Sequence, residues 1–481
     1  MDNSASNIQL EMNFSTPSGN RFRRSLDNGV FTVLFEHAAP GLELPDSEAA
    51  QRLAELEQLV LASRSVPAAL ALTDRSFSDN ARRAVDYAAL LPEKNRNSHL
   101  IYISGRGTSK AQMQGLIGQA RANNLANIAV VSGDSRPGET LRDLYNIEFC
   151  ESITALQQLQ YASGGRDFFA GAAVNVHLSS APALYSSLFK LIKKFNNGAE
   201  FAVTQAGFDM AQLDALHRYL AWRGYHQPLI ARLMLLTPEK VEKIIAKALP
   251  GITISQDFLM MLEKELRFSS SQFEAAQYRR LELQAAGCKL LGFSGIQIAG
   301  ADTPSKMQIA LERVSRALKE FTSLKHWEAE YKFYMARSDM ARSDEHFYLF
   351  EDLLQGLPAE ASVPQLTEFK LPDEKFISKL GDRARRFFFP EADKQPAGER
   401  RWLKKLLAGC QGCDNCRLPQ TQFYCPDRCP KRLANGVCGG IRNNGECEIG
   451  NYPCVHWQIW YAAERNRQTE TLENEIIPAG K

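Results

Sequence analysis

Several things are scarce in this sequence, and each scarcity excludes something. Net charge is nearly absent: 57 Lys and Arg face 55 Asp and Glu over 481 residues, a formal +2. A general nucleic-acid binder would carry a strong basic excess, so that class is set aside. No apolar run approaches the roughly 20 residues that a membrane helix needs. The opening residues, MDNSASNIQLEMNF, form neither a basic nor an apolar stretch, so no export signal is expected and the protein is placed in the cytoplasm. Cysteine is rare before residue 410, where only Cys150 and Cys288 occur. Neither is given a role beyond packing. No G-x-G-x-x-G follows the first apolar run, which weighs against a Rossmann sheet.

Hydrophobic residues make up 44% and charged residues 23%, the profile of an ordinary globular protein. Short apolar runs alternate with amphipathic ones: VFTVLFE (30–36), AALALTD (68–74), HLIYIS (99–104), NIAVVSGD (127–134), FFAGAAVNV (168–176), FAVTQ (201–205), PLIARLML (228–235) and LLGFSGIQIA (290–299). They lack strict alternation, as expected of strands buried on both faces of a parallel sheet. Between them, residues 46–64, 109–124 and 182–198 show helical spacing, the last ending on Gly198 at a helix C′ position. Eight strands with intervening helices predict a (β/α)8 TIM barrel, with a doubly wound open sheet as the runner-up. A barrel carries its site at the strand ends. The polar residues there are Glu36, His37, Asp74, Ser104, Arg106, Asp134, Asn175, His177, Gln205 and Gln297.

A charge-mixed helical stretch is expected from about 305 to 357, including a tandem MARSD at 335–344. Pro358, Pro364 and Pro372 break the next segment into short pieces, and a basic helix, RRWLKKLLAG (400–409), leads to the first clustered cysteine. The expected domains are an N-terminal extension (1–24), the barrel (25–310), a helical linker region (311–400), a cysteine-rich domain (401–465) and a tail (466–481).

The clustered cysteines are Cys410, Cys413, Cys416, Cys425, Cys429, Cys438, Cys447 and Cys454. In a reducing compartment, thiols at such spacing are metal ligands far more often than disulfides. Four thiolates satisfy one zinc ion or one iron–sulfur cluster, so eight allow two sites. The C-x2-C-x2-C opening leans toward a cluster; spacing leaves the metal, and which four cysteines share a site, open.

The segment CPKRLANGVCGGIRNNGECEIGNYPCVHWQIWYAAER (429–465) closely resembles the cysteine-rich C-terminal domain found with some methylenetetrahydrofolate reductases. FEHAAP (35–40), SGD (132–134) and NNGAEFAVTQAGFD (196–209) are similar, in order and strand position, to motifs of that family's barrel. The resemblance implies flavin-dependent reduction of 5,10-methylenetetrahydrofolate to 5-methyltetrahydrofolate. It implies Glu36 as the acid that protonates the bridging nitrogen, its pKa raised by desolvation, with Glu36 and Gln205 contacting folate. It implies Asp134 beside the flavin ring, and FAD contacts from Thr73, His99, Gly133, Asp134, His177, Lys193 and Lys194. Where the family has aromatics and an arginine, this chain has His37, Ala38 and Ser132. Electrons are therefore expected either from NAD(P)H or through a C-terminal iron–sulfur module (4Fe–4S, in one or two copies) fed by a protein donor. The alternative is a folate-binding protein acting in methyl transfer or delivery, with a corrinoid methyltransferase as its partner and no flavin chemistry of its own. Zinc in place of iron at the cysteines would fit that alternative. No nucleic acid or membrane partner is expected, and a homo-oligomer is.

Overall fold

In the computed structural model, the described residues are 19–74, 80–163, 168–335, 347–354, 365–369, 401–413 and 415–479. Eight strands close into a barrel: β1 (Thr32–Ala38), β2 (Ala68–Thr73), β3 (Leu100–Ser104), β4 (Asn127–Val131), β5 (Phe169–Val174), β6 (Phe201–Thr204), β7 (Leu229–Met234) and β8 (Gly295–Ala299). Every neighbouring pair is parallel. β1 joins both ends of the order, Val33 standing opposite Ala68 on one side and Ile296 on the other. The (β/α)8 expectation holds, and each strand lies within or across an apolar run read from the sequence.

Two layers of packing arise from the alternation of side chains. One face of β1 to β7 fills the barrel interior with Leu34, Ala69, Ala71, Leu100, Ala129, Phe169, Phe201, Val203 and Ile230. The other packs against the helices. The helix Arg21–Asp27 closes the N-terminal end: Phe22 meets Phe169 and Phe201 edge-on, with ring centroids 5.9 and 5.5 Å away. This helix straddles the boundary expected at residue 25, so the closing plug starts inside the expected extension.

The helix Ala181–Asn196 runs where residues 182–198 predict it, and Gly198, with φ +93°, turns the chain out of it. Ser109 forms a capping box with Gln112 at the start of Lys110–Ala122. Two expectations need correction. The eighth apolar run begins in helix, since Ser270–Leu290 extends into it and the strand starts only at Gly295. The helical stretch after 305 is two helices, Pro304–Glu320 and Leu324–Tyr334, the second capped by Ser323. Residues 347–354 are not helical, and Phe350 bridges Leu366 instead. The second MARSD copy, most of the first, and the three prolines lie outside the described residues.

The cysteine-rich module is mostly irregular chain around the helices Arg401–Ala408 and Val455–Arg465. It sits on the C-terminal ends of the barrel strands. Trp460 stacks on Tyr185 of the barrel helix Ala181–Asn196, centroids 5.1 Å apart and planes 4° from parallel. Trp457 Nε1 donates to Ser180 Oγ at 3.2 Å, and Ser179 Oγ donates to the Asn443 carbonyl at 2.5 Å. Among the described residues no helix is long and apolar enough to cross a membrane.

Candidate functional site

The strand ends and the module together enclose a cavity of about 310 Å3, at the lower end of what small-molecule sites span. Its barrel wall includes Glu36, Thr73, Asp74, Tyr102, Asp134, Gln205, Arg232 and Gln297, and Val437, Cys438 and Gly439 of the module form part of its lining.

The centre of the cavity is a linked set of polar groups. Arg232 on β7 forks onto Glu36 on β1, Nε to Oε2 at 2.6 Å and Nη2 to Oε1 at 2.7 Å. Its remaining Nη1 donates to Gln205 Oε1 at 2.5 Å. Gln297 on β8 donates to Glu36 Oε2 at 2.8 Å, and Tyr102 on β3 donates to Gln297 Oε1 at 2.7 Å, which fixes the orientation of that amide. Burial pushes the Glu36 carboxyl up, but the Arg232 charge and the hydrogen bonds from Arg232 and Gln297 outweigh it. The net pKa lies below the ordinary carboxylate value. The expectation of a Glu36 kept protonated by desolvation is therefore corrected: in this arrangement it is an ion-paired carboxylate.

Asp134 lies at the end of β4. Burial raises its pKa, opposed by Lys431 and reinforced by Glu448. Those two residues belong to the module and form a buried pair at 2.5 Å. Lys431 Nζ also donates to the Gly133 carbonyl at 2.8 Å, and the Ser135 N–H donates to Glu448 at 2.6 Å. Asn175 Nδ2 donates to the Gly439 carbonyl at 2.9 Å. The module is thus fastened to the loop carrying Asp134 and to the end of β5.

The eight clustered thiols separate into two groups. Cys410, Cys413, Cys416 and Cys425 line one small hollow with Lys404 and Arg417. Cys429, Cys438, Cys447 and Cys454 lie near enough for their charges to act on one another. None of the ten cysteines is in a disulfide. Among the described residues no three Cys, His, Asp or Glu side chains converge as a ready metal cage. Burial pushes Cys425 and Cys429 up to about 11 and Cys454 up to about 12, which disfavours the thiolate unless a cation stabilises it. Two sets of four reduced thiols fit a soft metal or cluster by their chemistry, and binding would draw each set closer with loss of protons.

A family model for methylenetetrahydrofolate reductase matches residues 21–278. The chain belongs to the methylenetetrahydrofolate reductase family. A second model, for the methylenetetrahydrofolate reductase C-terminal domain, matches residues 389–481. A search of curated proteins finds no match. Among solved structures, a protein from Clostridium thermocellum described as binding two copies of 5-methyl-5,6,7,8-tetrahydrofolic acid is 13% identical. The match covers 62% of this chain and all of that one, with a TM-score of 0.45. A 2,3-dimethylmalate lyase is also 13% identical over 62% of this chain and 86% of its own, with a TM-score of 0.32.

Of the residues that the reductase family suggests, Glu36, Thr73, Gly133, Asp134, Lys194 and Gln205 all line the cavity. Lys194 Nζ donates to the Ala173 carbonyl at 2.5 Å, and burial, with Lys190 beside it, lowers its pKa to about 7. Three others stand apart from the cavity lining. His99 enters β3 at the opposite end of the barrel, accepting from the Leu70 N–H at 3.1 Å and facing Glu57. His177 is buried with its ring against Gly207. Lys193 is buried near Glu151 and Lys190, and burial lowers its pKa to about 8. Of the three residues expected by resemblance on the cofactor's phosphate or ribose side, Lys194 lines the cavity and His177 and Lys193 do not. Sequence reasoning passes over Arg232, although a lone arginine inside the apolar run PLIARLML signals a charge that needs a buried partner.

Proposed function

We propose that this protein reduces 5,10-methylenetetrahydrofolate to 5-methyltetrahydrofolate in the barrel cavity, with reducing equivalents supplied through the cysteine-rich module. The observation that carries this reading is the convergence of Glu36, Asp134, Gln205 and Cys438 on one cavity. The reaction adds two electrons and two protons to the substrate: one C–N bond of the methylene bridge breaks, the carbon becomes methyl, and the released nitrogen is protonated. Gln205 offers an amide donor and acceptor to the pterin edge. Glu36, once freed from its pairing with Arg232, would hand a proton to the bridging nitrogen. Asp134 keeps a carboxyl group at the cavity wall, and the lining by Val437, Cys438 and Gly439 reduces the access of water.

Asp134, with Thr73 and Gly133, would lie against a flavin ring and Lys194 would meet the cofactor's phosphate or ribose side; the chemistry that the flavin supplies when bound is hydride transfer. Cys410, Cys413, Cys416 and Cys425 would hold one metal centre, and Cys429, Cys438, Cys447 and Cys454 a second. Iron–sulfur clusters there would supply one-electron transfer and zinc would be structural.

A second reading, folate binding for methyl delivery to a partner such as a corrinoid methyltransferase, is favoured by the ion-paired state of Glu36 and by His177 and Lys193 standing apart from the cavity lining. One experiment separates the two. Protein purified without oxygen is analysed for flavin, iron and zinc, then supplied with 5-methyltetrahydrofolate and an artificial electron acceptor. Iron at cluster stoichiometry with oxidation of the folate supports the reductase. Zinc without flavin, with folate bound but unchanged, supports delivery.

A further inference from the structure

Tyr102 on β3 lines the cavity and has no part in the chemistry proposed above, yet the side chain it holds is one that holds Glu36. Gln297 stands in register with Arg232 of β7 on one side and with Leu34 of β1 on the other. Leu34 and Glu36 share the inward face of β1, so the amide lies beside the Glu36 carboxylate inside the barrel. Gln297 is 1% exposed and Tyr102 8%. An amide can meet a carboxyl group either way round: its NH2 donates to a carboxylate, and its carbonyl accepts from a carboxylic acid. Tyr102 breaks this tie. A phenol donates more strongly than it accepts, because its oxygen lone pair is drawn into the ring. Its hydroxyl donates to Gln297 Oε1 at 2.7 Å, which turns the amide N–H toward Glu36 Oε2 at 2.8 Å. Burial first, and then the charge of Glu36, push the phenol pKa above its ordinary value, so the donor persists around neutral pH.

We propose that Tyr102 and Gln297 are a pair of positioning residues that set the acidity of Glu36: the phenol fixes the amide with its N–H forward, and the amide favours the carboxylate over the carboxylic acid. This rests on the reading of Glu36 as the acid and deepens it, by naming what governs the proton once Arg232 has moved off. Among the described residues, Arg232 and Gln297 are the hydrogen-bond donors to the Glu36 side chain. With Arg232 away, Gln297 is the donor that opposes burial, which otherwise holds the proton on. An acid parts with its proton more readily when its anion is already held, and the amide provides that hold at Oε2. The surrounding charges are few. Lys240 of the helix Pro238–Ile245 also favours the carboxylate, ranking below Arg232 and Gln297. Asp134, at the end of β4, acts on Arg232. Asp74, at the end of β2, is occupied by Arg83 and by the N–H groups of Ala84 and Ser104.

The test is an infrared pH titration of the full chain without folate, following the carboxylic C=O stretch that Glu36→Gln removes. It is run in the native chain and in Arg232→Met, where burial prevails and Glu36 titrates at higher pH. In both, Gln297→Met, close in shape but with no donor, is expected to weaken the acidity of Glu36 by about tenfold to a hundredfold, the worth of a hydrogen bond to a charged group. Tyr102→Phe is expected to weaken it less, in the same direction. Replacing Tyr102 by 3-fluorotyrosine, a stronger donor of nearly the same shape, is expected to move protonation the other way, to lower pH; a site merely disturbed would not give opposite signs. Unchanged protonation of Glu36 in Gln297→Met or in Tyr102→Phe overturns the inference, as does a shift of the same sign for Tyr102→Phe and the fluorinated side chain. No folate is present, so these outcomes leave the folate reading intact. Turnover of Glu36→Gln near the native rate removes the acid reading itself.

Discussion

Replacing Glu151 by Gln should loosen the cysteine-rich module from the barrel. Glu151 stands just before the helix Ser152–Ser163, and its carboxylate faces Lys190 Nζ at 2.8 Å, both side chains being 4% exposed. It also accepts from the Ala434 N–H at 3.1 Å, the Asn435 N–H at 3.2 Å and Asn435 Nδ2 at 3.0 Å, all in the module. Burial raises its pKa, but Lys190 and these donors bring it down from 4.5 to about 2. At about 1.36 kcal/mol per pH unit, that difference corresponds to about 3 kcal/mol of stability at neutral pH. A depressed acid fixes the sign: the contribution is complete above the unfolded value of 4.5 and is lost as pH falls through about 2. Glutamine keeps an acceptor but leaves Lys190 buried without its counter-charge, a loss of about 3–5 kcal/mol for a broken buried pair. The two routes agree. Urea unfolding followed by tryptophan fluorescence reports on the joint, because Trp457 and Trp460 sit on it. Hydrogen exchange over residues 431–448 reports on the module alone. An unchanged urea midpoint together with unchanged exchange in Glu151→Gln would refute the reasoning.

Glu36→Gln should lower folate reduction by about a hundredfold or more, the scale of a general acid, while 5-methyltetrahydrofolate still binds; turnover near the native rate removes Glu36 as the acid. Cys413→Ser and Cys438→Ser should each cost one metal centre and spare the other, counted by elemental analysis; loss of both from a single substitution would mean that the two thiol groups are not independent. Gly251→Ala should destabilise the joint by about 1–3 kcal/mol, read as a lower Tm. Gly251 has φ +71°, and an added Cβ would lie 2.0 Å from the Gly439 carbonyl oxygen. A Tm equal to the native value would show that this close approach does not hold the module down.

What the sequence reveals, and what it hides, divides along the range of the interaction. FAVTQ becomes β6 and AALALTD becomes β2 because strand formation depends on local apolar composition once both faces are covered. Ser109, with Gln112 three residues later, announces its helix for a similarly local reason. The eighth run misleads at its start because Leu290 and Leu291 suit a helix end as well as a strand, and only Gly292 at φ +88° separates the two. Glu36, Asp134 and Gln205 can be placed at strand ends from local pattern, but their protonation cannot. The pairing that sets the charge of Glu36 spans 196 positions of the chain. The Lys431–Gly133 contact spans 298, so nothing local shows that the module covers the barrel. His99 is suggested by its place in a motif, and its actual position at the far end of β3 depends on Leu70 and Glu57.

Because Cys438 lines the cavity and also belongs to the second thiol group, the roof of the cavity and the second proposed metal site are one piece of chain. If those thiols take up metal, maturation would have an order: a chamber of the right shape would arrive only when residues 431–448 had settled over β4 and β5, which loading of Cys429, Cys438, Cys447 and Cys454 would complete. A chain short of metal would leave its chamber unroofed and open to solvent. Metal supply would then set how many finished chambers a cell contains, independently of how much of the polypeptide it makes.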